Sequence, residues 1–535
     1  MPDFSASLNQ NLLQGLTAFS LRPALHDQNE TLTFAQLADR VASCSHRLRL
    51  RGVNKGDRVA LQLRNSQQAV ILMLSALMIG AIPVPILPSY REKELLHILQ
   101  MTQPKVLALY RSSRRYSPMA SLQSFEQQGI HVDIVLVEDL EDQKRQTRYL
   151  NLQQFCSPME TPPAQHLEPM SSDDTAMMLL SSGTTGLPKA IARKNGGYTY
   201  MIQCGCDIFG LNSQSVYFAV MPVSHGFVIN CPGILGTLSR GGAVVLADQP
   251  TAAHALNEVA RCGVTHTTLV PALLAQWAEV QQTAPRAIDS LWHVQVGGAR
   301  VAPELAASAS ATLGIKLQQC YGMSEGLLCF NAIDEVDSIR FQSQGKPLSP
   351  EDEVRIVDDR GQPVAIGQSG ELITRGPYTI TGYFQNPKAD LAAFTPEGFY
   401  RTGDLAHVDA EGNVYIDGRV NDSINRGGEK FSPNEIEELA LHHPDIQHVA
   451  CVGAADALYG EVACLFVVTD RQDITLGELR RYLAEQGLAS FKIPEKLILL
   501  EAIPMKGIGK IDRLTLRAMV AETSSDIADV VTGRE

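Results

Sequence analysis

The sequence predicts a layered α/β fold, with a large N-terminal domain and a small α+β domain at the C-terminal end. Three observations predict it. Short apolar runs alternate with helix-length patterns through most of the first 420 residues, as in a largely parallel sheet covered by helices. From Gly361 the pattern changes to short strands separated by turns. At 535 residues the chain is too long for one ordinary core.

In order, Val59–Leu63 reads as a strand, Gln67–Ile79 as a helix and Ile82–Ile86 as a short buried strand. Pro83 and Pro85 lack a backbone N–H, so that strand belongs at an edge or an end of its sheet. The uncharged stretch Ala69–Pro88 is long enough to span a bilayer, but Gly80, Pro83, Pro85 and Pro88 break its second half. A buried helix and strand fit better, and no membrane partner is expected. Val106–Tyr110, Ile134–Val137, Ala176–Leu180, Ala243–Ala247, Thr267–Val270, Trp292–Val296 and Ile315–Cys320 read as further strands, with helices at Ala252–Cys262 and Pro303–Leu313. Gly370–Thr374 and Asn413–Ile416 are short strands, the second preceded by a hairpin turn at Asp409–Gly412. After Asn421 come a helix at Pro433–His442, strands at Val449–Gly453 and Ala463–Thr469, a helix at Leu476–Gln486 and a strand at Leu497–Leu500. That tail of roughly 110 residues is large enough for its own domain, so domains are expected at 1–420 and 421–535. The polar stretch Glu522–Glu535 reads as a frayed end.

Hydrophobic residues make up 44% of the chain, as in ordinary soluble globular proteins. A formal charge of −13 argues against a general nucleic-acid or anionic-membrane binder. The ten cysteines lie at scattered spacings with no Cys-x-x-Cys pair. No zinc or disulfide framework is readable, and a reducing cytoplasm fits. Met1-Pro2-Asp3-Phe4 lacks the basic and apolar blocks of a signal peptide. A cytoplasmic location is expected.

The chemistry concentrates in glycine-rich segments. Ser181–Ala190 places hydroxyl residues and two glycines between an apolar run and a lysine. Glycines let backbone N–H groups approach a ligand, while hydroxyls and a cation add donors. Ser182, Gly183, Thr184, Thr185 and Lys189 therefore suit the phosphates of a nucleotide. The loop is not a Walker A loop, because only two residues separate Gly183 from Gly186 and Ala190 follows Lys189. A polar turn after a buried strand explains it as well, and the loop alone does not separate the two. Gly297-Gly298-Ala299 follows a strand and would let a flat ring lie against backbone. Tyr321-Gly322-Met323-Ser324-Glu325 brings together an aromatic face, a hydroxyl and a carboxylate. Asp404, in Tyr400–Leu405, puts a carboxylate at a turn, suited to paired ribose hydroxyls. Arg419 follows Gly418, Arg426–Lys430 is a flexible basic loop around Gly427 and Gly428, and Lys510 ends a Gly-x-Gly-Lys sequence.

A different class competes for part of this set. Gly322–Gly326 fits the Gly-x-Ser-x-Gly elbow of a serine hydrolase, with Ser324 as nucleophile and Asp404 and His443 downstream. Three fixed letters are a weak signal, no His-Gly-Gly stretch lies upstream, and Lys510 and the Ser181–Ala190 loop stay unexplained.

With these motifs in this order, the chain resembles the adenylate-forming superfamily of acyl-CoA synthetases, peptide-synthetase adenylation domains and luciferases. The likeness runs from Leu32-Thr33-Phe34 and Lys55-Gly56-Asp57-Arg58-Val59 to about Leu516. Within the superfamily it looks most like the stand-alone aryl-acid–AMP ligases of siderophore synthesis, the 2,3-dihydroxybenzoate or salicylate activators. Gln344–Pro350, Arg375–Ile380 and Ile424–Lys430 carry that likeness.

The resemblance implies ATP and Mg²⁺, an aromatic acid activated as its adenylate, and transfer to the phosphopantetheine thiol of an aryl carrier protein. Free coenzyme A, with an aryl or medium-chain acid, is the alternative. Lys510 would stabilise charge at the α-phosphate, and Glu325 would hold the metal. Gly297, Gly298, Ala299, Tyr321, Gly322 and Ser324 would border the nucleotide. Asp404 would take the ribose hydroxyls, with Arg419 assisting at ribose or phosphates. Thr184, Thr185 and Lys189 would grip the outer phosphates. The small domain would be mobile about Asn421, bringing Gly427 and Gly428 round for the thiol step. His225 would line and gate the acyl pocket, with Gly226, Phe227, Cys231, Cys320 and Leu328. The plainer readings are a packed histidine at His225, a capping aspartate at Asp404 and a simple ion pair at Arg419.

Three positions depart from the pattern. Gly226 stands where the dihydroxybenzoate and salicylate activators have Asn and amino-acid activators have Asp. This argues against an amino acid and for a bulkier or differently substituted ring. Asn421 replaces a hinge Asp or Lys, and Asn195 replaces a His.

Overall fold

The computed structural model describes residues 6–521 except 29, 112–116, 141–147, 182–187, 250, 427–428, 457–458, 472, 487, 489–491 and 507–508, with backbone alone at 421, 425, 429, 430 and 460. The expected phosphate-loop residues Ser182, Gly183, Thr184 and Thr185, and Gly427 and Gly428, lie outside the described residues. The chain divides into two compact units. The first is Met1–Phe341, Gly345–Glu353 and Thr374–Tyr400; the second is Gln342–Gln344, Val354–Ile373 and Arg401–Glu535. Asn421 falls inside the second unit, in a short 3₁₀ turn, Val420–Asp422.

The first unit carries two α/β layers. A five-stranded parallel sheet runs in the order Ile82–Pro85, Arg58–Gln62, Val106–Leu109, Ile134–Val137, Tyr149–Asn151. The proline-bearing strand takes the edge, where its missing donors leave no ladder bond unmade. The helix Gln67–Met78 is buried on every side, as its nearly continuous apolar sequence requires. Ser66 starts it, accepting the Ala69 N–H at 3.3 Å.

The second layer is a nine-stranded sheet. At its centre Lys316–Gly322, His293–Val296, His266–Leu269, Val216–Ala219, Ala243–Leu246 and Pro23–His26 run parallel in that order. The four strands from His293–Val296 to Ala243–Leu246 are buried except for the half-buried Val216, as expected of strands covered on both faces. The helices Ala252–Cys262, Pro271–Thr283 and Pro303–Leu313 connect successive strands. Leu328–Phe330 folds back antiparallel on Lys316–Gly322.

Two elements differ from expectation. Thr175–Ser181 pairs antiparallel with a second strand, Lys189–Lys194, Ser181 opposite Lys189. The charged residues of the second strand hid its apolar alternation. Asp404 sits within the strand Tyr400–Val408, not in a turn. Gly403, at φ 70°, and a register shift at Leu405/Ala406 make that strand irregular, which is what its sequence suggested as a turn.

In the second unit, most of a four-stranded sheet ends in the hairpin of Tyr400–Val408 with Val414–Arg419. Next comes a sheet ordered Glu429–Phe431, Ile424–Arg426, Gly460–Val468, His448–Asp456, with Lys496–Leu499 parallel to Gly460–Val468. The helix Leu476–Glu485 makes that crossover, so the expected βαβ-like tail is present.

Candidate active site

The first unit's site residues gather at the carboxyl ends of neighbouring parallel strands, where open α/β sheets bind ligands. The chain leaving Val216–Ala219 leads to His225 and the short helix Gly226–Asn230. Gly297 and Gly298 follow His293–Val296, and Lys316–Gly322 carries Cys320 and Tyr321. Three of these segments converge at Gly297. A Cβ there would lie 2.5 Å from Cys320 Sγ and 3.3 Å from Phe227 Cζ, so only glycine fits. Gly298 and Ala299 are exposed and Tyr321 is half-buried, leaving a backbone shelf and an aromatic face at adjacent strand ends.

His225 caps the Gly226–Asn230 helix, its Nδ1 accepting the Phe227 N–H at 3.2 Å. It thereby fixes the turn that delivers Phe227. Burial pushes the Cys231 thiol up to about 12 and raises that of Cys320 as well. Both stay neutral and act as small apolar wall groups, not nucleophiles. Leu328 is buried and packs across Gly322, which supports the strand end from behind.

Beside this wall is a buried carboxylate. Glu325 is 7% exposed, and its Oε1 accepts the Tyr383 hydroxyl at 3.0 Å. Tyr383 also meets the Tyr400 hydroxyl at 3.1 Å, and Lys189 Nζ lies 4.7 Å from the Tyr383 ring centroid. Burial, then the charge of Glu325, raises the Tyr383 phenol above its ordinary value, so it remains a donor. The Ile380 N–H holds the Glu325 backbone carbonyl at 2.8 Å.

Arg193, 2% exposed, ties the hairpin to this turn. It donates to the Ser324 carbonyl and, at 2.9 Å, to the Tyr378 carbonyl. Burial lowers its pKa, as desolvation of a cation must. Tyr378 in turn donates to Asp352, whose carboxyl is pushed up to about 6 by burial. Asn195, close by in sequence, is a structural tie: its Oδ1 accepts the Leu8 N–H and its Nδ2 donates to the Ser171 carbonyl, both at 3.1 Å.

The contacts that Tyr383 and Arg193 make around this turn were not expected from the sequence. Ile191 and Arg193, two apart on one strand, could have flagged an inward-facing arginine. Nothing local marks Tyr383.

The hydrolase alternative fails on geometry. A nucleophile elbow turns from strand into helix; after Ser324 the chain enters the strand Leu328–Phe330 instead.

In the second unit Asp404 and Arg419 face each other across the antiparallel pair, with Arg419 Nε 2.7 Å from Asp404 Oδ1. Asp404 is 5% exposed while about half of the Arg419 side chain is open to solvent. The Asp404 N–H donates to Thr402 Oγ1 at 3.0 Å, anchored in turn on the Leu372 carbonyl at 2.8 Å. Asp422, next to Asn421, is held by Arg513 and Arg517 at 3.5 and 3.3 Å. Lys510 is exposed on a small hairpin, paired opposite Lys506, and Gly509 takes φ 69° beside it. His443, Asp445 and Glu478 have the spacing of metal ligands. Arg471 already bridges both carboxylates at 2.7 and 2.9 Å, however, and fills the cation's place.

Residues 16–384 match the AMP-binding enzyme family, and residues 435–510 match the AMP-binding enzyme C-terminal domain. The chain is 38% identical over 509 residues to the salicyl-AMP ligase / salicyl-S-ArCP synthetase of Mycobacterium tuberculosis, covering 94% of this chain and 87% of that protein. It is 36% identical over 526 residues to the 2-hydroxy-7-methoxy-5-methyl-1-naphthoate–CoA ligase of Streptomyces carzinostaticus, covering 97% and 94%. Its fold is similar to the apo structure of MbtA from Mycobacterium smegmatis, with a TM-score of 0.71 at 33% identity over 96% of this chain and 94% of that one. The chain belongs to the AMP-binding, adenylate-forming enzyme family.

Proposed function

We propose that the protein activates an aromatic carboxylic acid with ATP to an acyl-adenylate, then transfers the acyl group to the phosphopantetheine thiol of an aryl carrier protein. The observation that carries the acid is the uncharged wall where Phe227 and Cys320 close on Gly297, next to a glycine at 226 that offers nothing to an α-ammonium group. The salicyl-S-ArCP synthetase named above supports the carrier as acceptor. Free coenzyme A, in the name of the Streptomyces relative, presents the same kind of thiol and is the second reading.

In the first step the acid's carboxylate attacks the α-phosphate of ATP and pyrophosphate leaves. Holding the two together supplies much of the rate. Lys510 neutralises the charge that builds at the α-phosphate, and Lys189 serves the departing phosphates. Asp404, oriented by Arg419, receives the ribose hydroxyls. The exposed Gly298–Ala299 backbone and Tyr321 receive the base. Glu325 would hold Mg²⁺: a buried carboxylate with one oxygen fixed by a neutral phenol suits a hard cation. When bound, the ion supplies charge neutralisation on the phosphates. In the second step the small C-terminal domain (421–535) turns about Asn421, Lys510 withdraws, and the thiol attacks the mixed anhydride to give thioester and AMP. His225 lines the acyl entrance. An ATP-dependent role supports a cytoplasmic site, as do the cysteines, all free thiols. No helix among the described residues is long and apolar enough to cross a membrane.

ATP–pyrophosphate exchange across a panel of aryl, fatty and amino acids tests the reading. Exchange driven by aryl acids alone is expected; exchange driven by none of them would end it.

A further inference from the structure

Gly226 opens its helix with a φ that is not positive, so any L residue could take its place. Packing does not demand glycine either. A Cβ built there would lie 3.4 Å from Asn230 Oδ1, 3.6 Å from Leu179 Cδ1 and 3.8 Å from Ser324 Oγ, all ordinary contact distances. The missing side chain therefore leaves a hollow about the size of a methyl group, on the same helix turn as Phe227, whose ring reaches Gly297.

One wall of that hollow is polar and unsatisfied. Asn230 lies one helical turn after Gly226, at i+4, and is 5% exposed. Its Oδ1 has no hydrogen-bond partner among the described residues. Its Nδ2 reaches only the weak acceptor Cys231 Sγ, at 3.7 Å. A buried carbonyl oxygen without a donor is costly and calls for one.

We infer that Asn230 is a specificity-determining residue, whose carboxamide oxygen accepts a hydrogen bond from a hydroxyl or amino group on the ring of the aromatic acid, seated in the hollow over Gly226. The inference rests on the aryl-acid reading above and adds the group that selects among aryl acids. A ring bearing the donor satisfies Asn230. A plain ring buries the oxygen unpaired and is rejected for that reason.

The test is kcat/KM in ATP–pyrophosphate exchange for benzoate, the hydroxybenzoates and the aminobenzoates, in the full-length wild type and two variants. Wild type is expected to prefer the best donor-bearing acid over benzoate by about ten- to a hundredfold. The larger of the hydroxyl and amino ratios identifies the donor. Asn230→Leu keeps the volume, loses the acceptor and should bring the ratio close to one. Gly226→Ser adds a small side chain that the hollow admits, and its hydroxyl engages Asn230 in the ligand's stead; it should lower the ratio without touching Asn230. A global loss of folding would depress all acids alike and leave the ratio unmoved. Wild type that uses aryl acids without regard to ring donors, or a preference that survives in both variants, overturns this inference alone. Wild type that exchanges with no aryl acid overturns it together with the aryl-acid reading.

Discussion

The Tyr383 hydroxyl donates to Glu325 Oε1 at 3.0 Å, and the carboxylate it holds is 7% exposed. Because burial and the neighbouring charge keep the phenol protonated, the bond persists across the physiological pH range. It aims one carboxylate oxygen with a neutral donor. Glu325→Gln keeps the shape and removes the charge. It is expected to lower acid-dependent exchange by about a hundredfold, as lost electrostatic stabilisers do. Tyr383→Phe removes only the aiming bond and should cost about tenfold. Steady-state exchange at saturating ATP measures both, and equal rates in Glu325→Gln and wild type would rule out the carboxylate's role.

Arg193 is a buried cation that donates to the carbonyl oxygens of Ser324 and Tyr378 and lies over the Tyr198 ring. Hydrogen bonds from a charged donor are worth more than neutral ones. Arg193→Met should destabilise the protein by about 3–5 kcal/mol, since it leaves both carbonyls buried without donors. Arg193→Lys restores the charge but not the fork, so an intermediate loss is expected. Urea unfolding reports the difference, and a shift of under about 1 kcal/mol in Arg193→Met would deny the tie.

His266 and His293, both almost fully buried, lie in a cluster with Phe209 and Trp292. Burial lowers their pKa values to about 4 and about 3. On acidification the unfolded chain takes up these protons first, near pH 6.5. Stability from this pair is thus complete above 6.5 and drains away as pH falls toward 4, at up to about 1.4 kcal/mol per pH unit for each histidine. Asp352, pushed up to about 6, works in the opposite direction between its unfolded and folded values, so the pair must be isolated by mutation. His293→Gln retains a donor for the Phe209 carbonyl that His293 Nδ1 meets at 3.1 Å. Urea midpoints from pH 7 to 5 should fall less steeply in that variant; parallel curves would mean that His293 titrates normally.

Much of the architecture was legible because it follows from periodicity. The buried parallel strands are continuous apolar runs, and Pro83 and Pro85 announced an edge strand in advance. Gly297 was expected to let a ring lie against backbone; what the structure adds is that Cys320 and Phe227 leave no room there for a Cβ. What escaped depends on burial and on distant partners. A charged residue on a strand ordinarily faces water; Ile191, two residues before it, hints that Arg193 points inward, but nothing local names Ser324 and Tyr378 as its partners. Tyr383 and Glu325 are separated by a long stretch of chain, and no local pattern joins them. Asp404 was expected in a turn because the irregular strand around Gly403 has a turn's composition.

The role proposed for Lys510 confines it to the first of the two half-reactions. It is exposed on a short hairpin of the second unit, where Gly509 in the left-handed region shapes the turn that presents it. An exposed lysine contributes little to stability, so Lys510→Ala should unfold like wild type. If the ammonium stabilises charge only while the α-phosphate is attacked, the variant should lose at least about a hundredfold in ATP–pyrophosphate exchange. ATP binding by calorimetry should change little, because the effect falls on the transition state rather than the ground state. Supplied with preformed acyl-adenylate, the same variant should form thioester with a phosphopantetheine thiol at nearly the wild-type rate, since that step needs no charge at the α-phosphate's entry side. Equal losses in both half-reactions would make Lys510 a general binding residue, and undiminished exchange would remove it from the chemistry altogether.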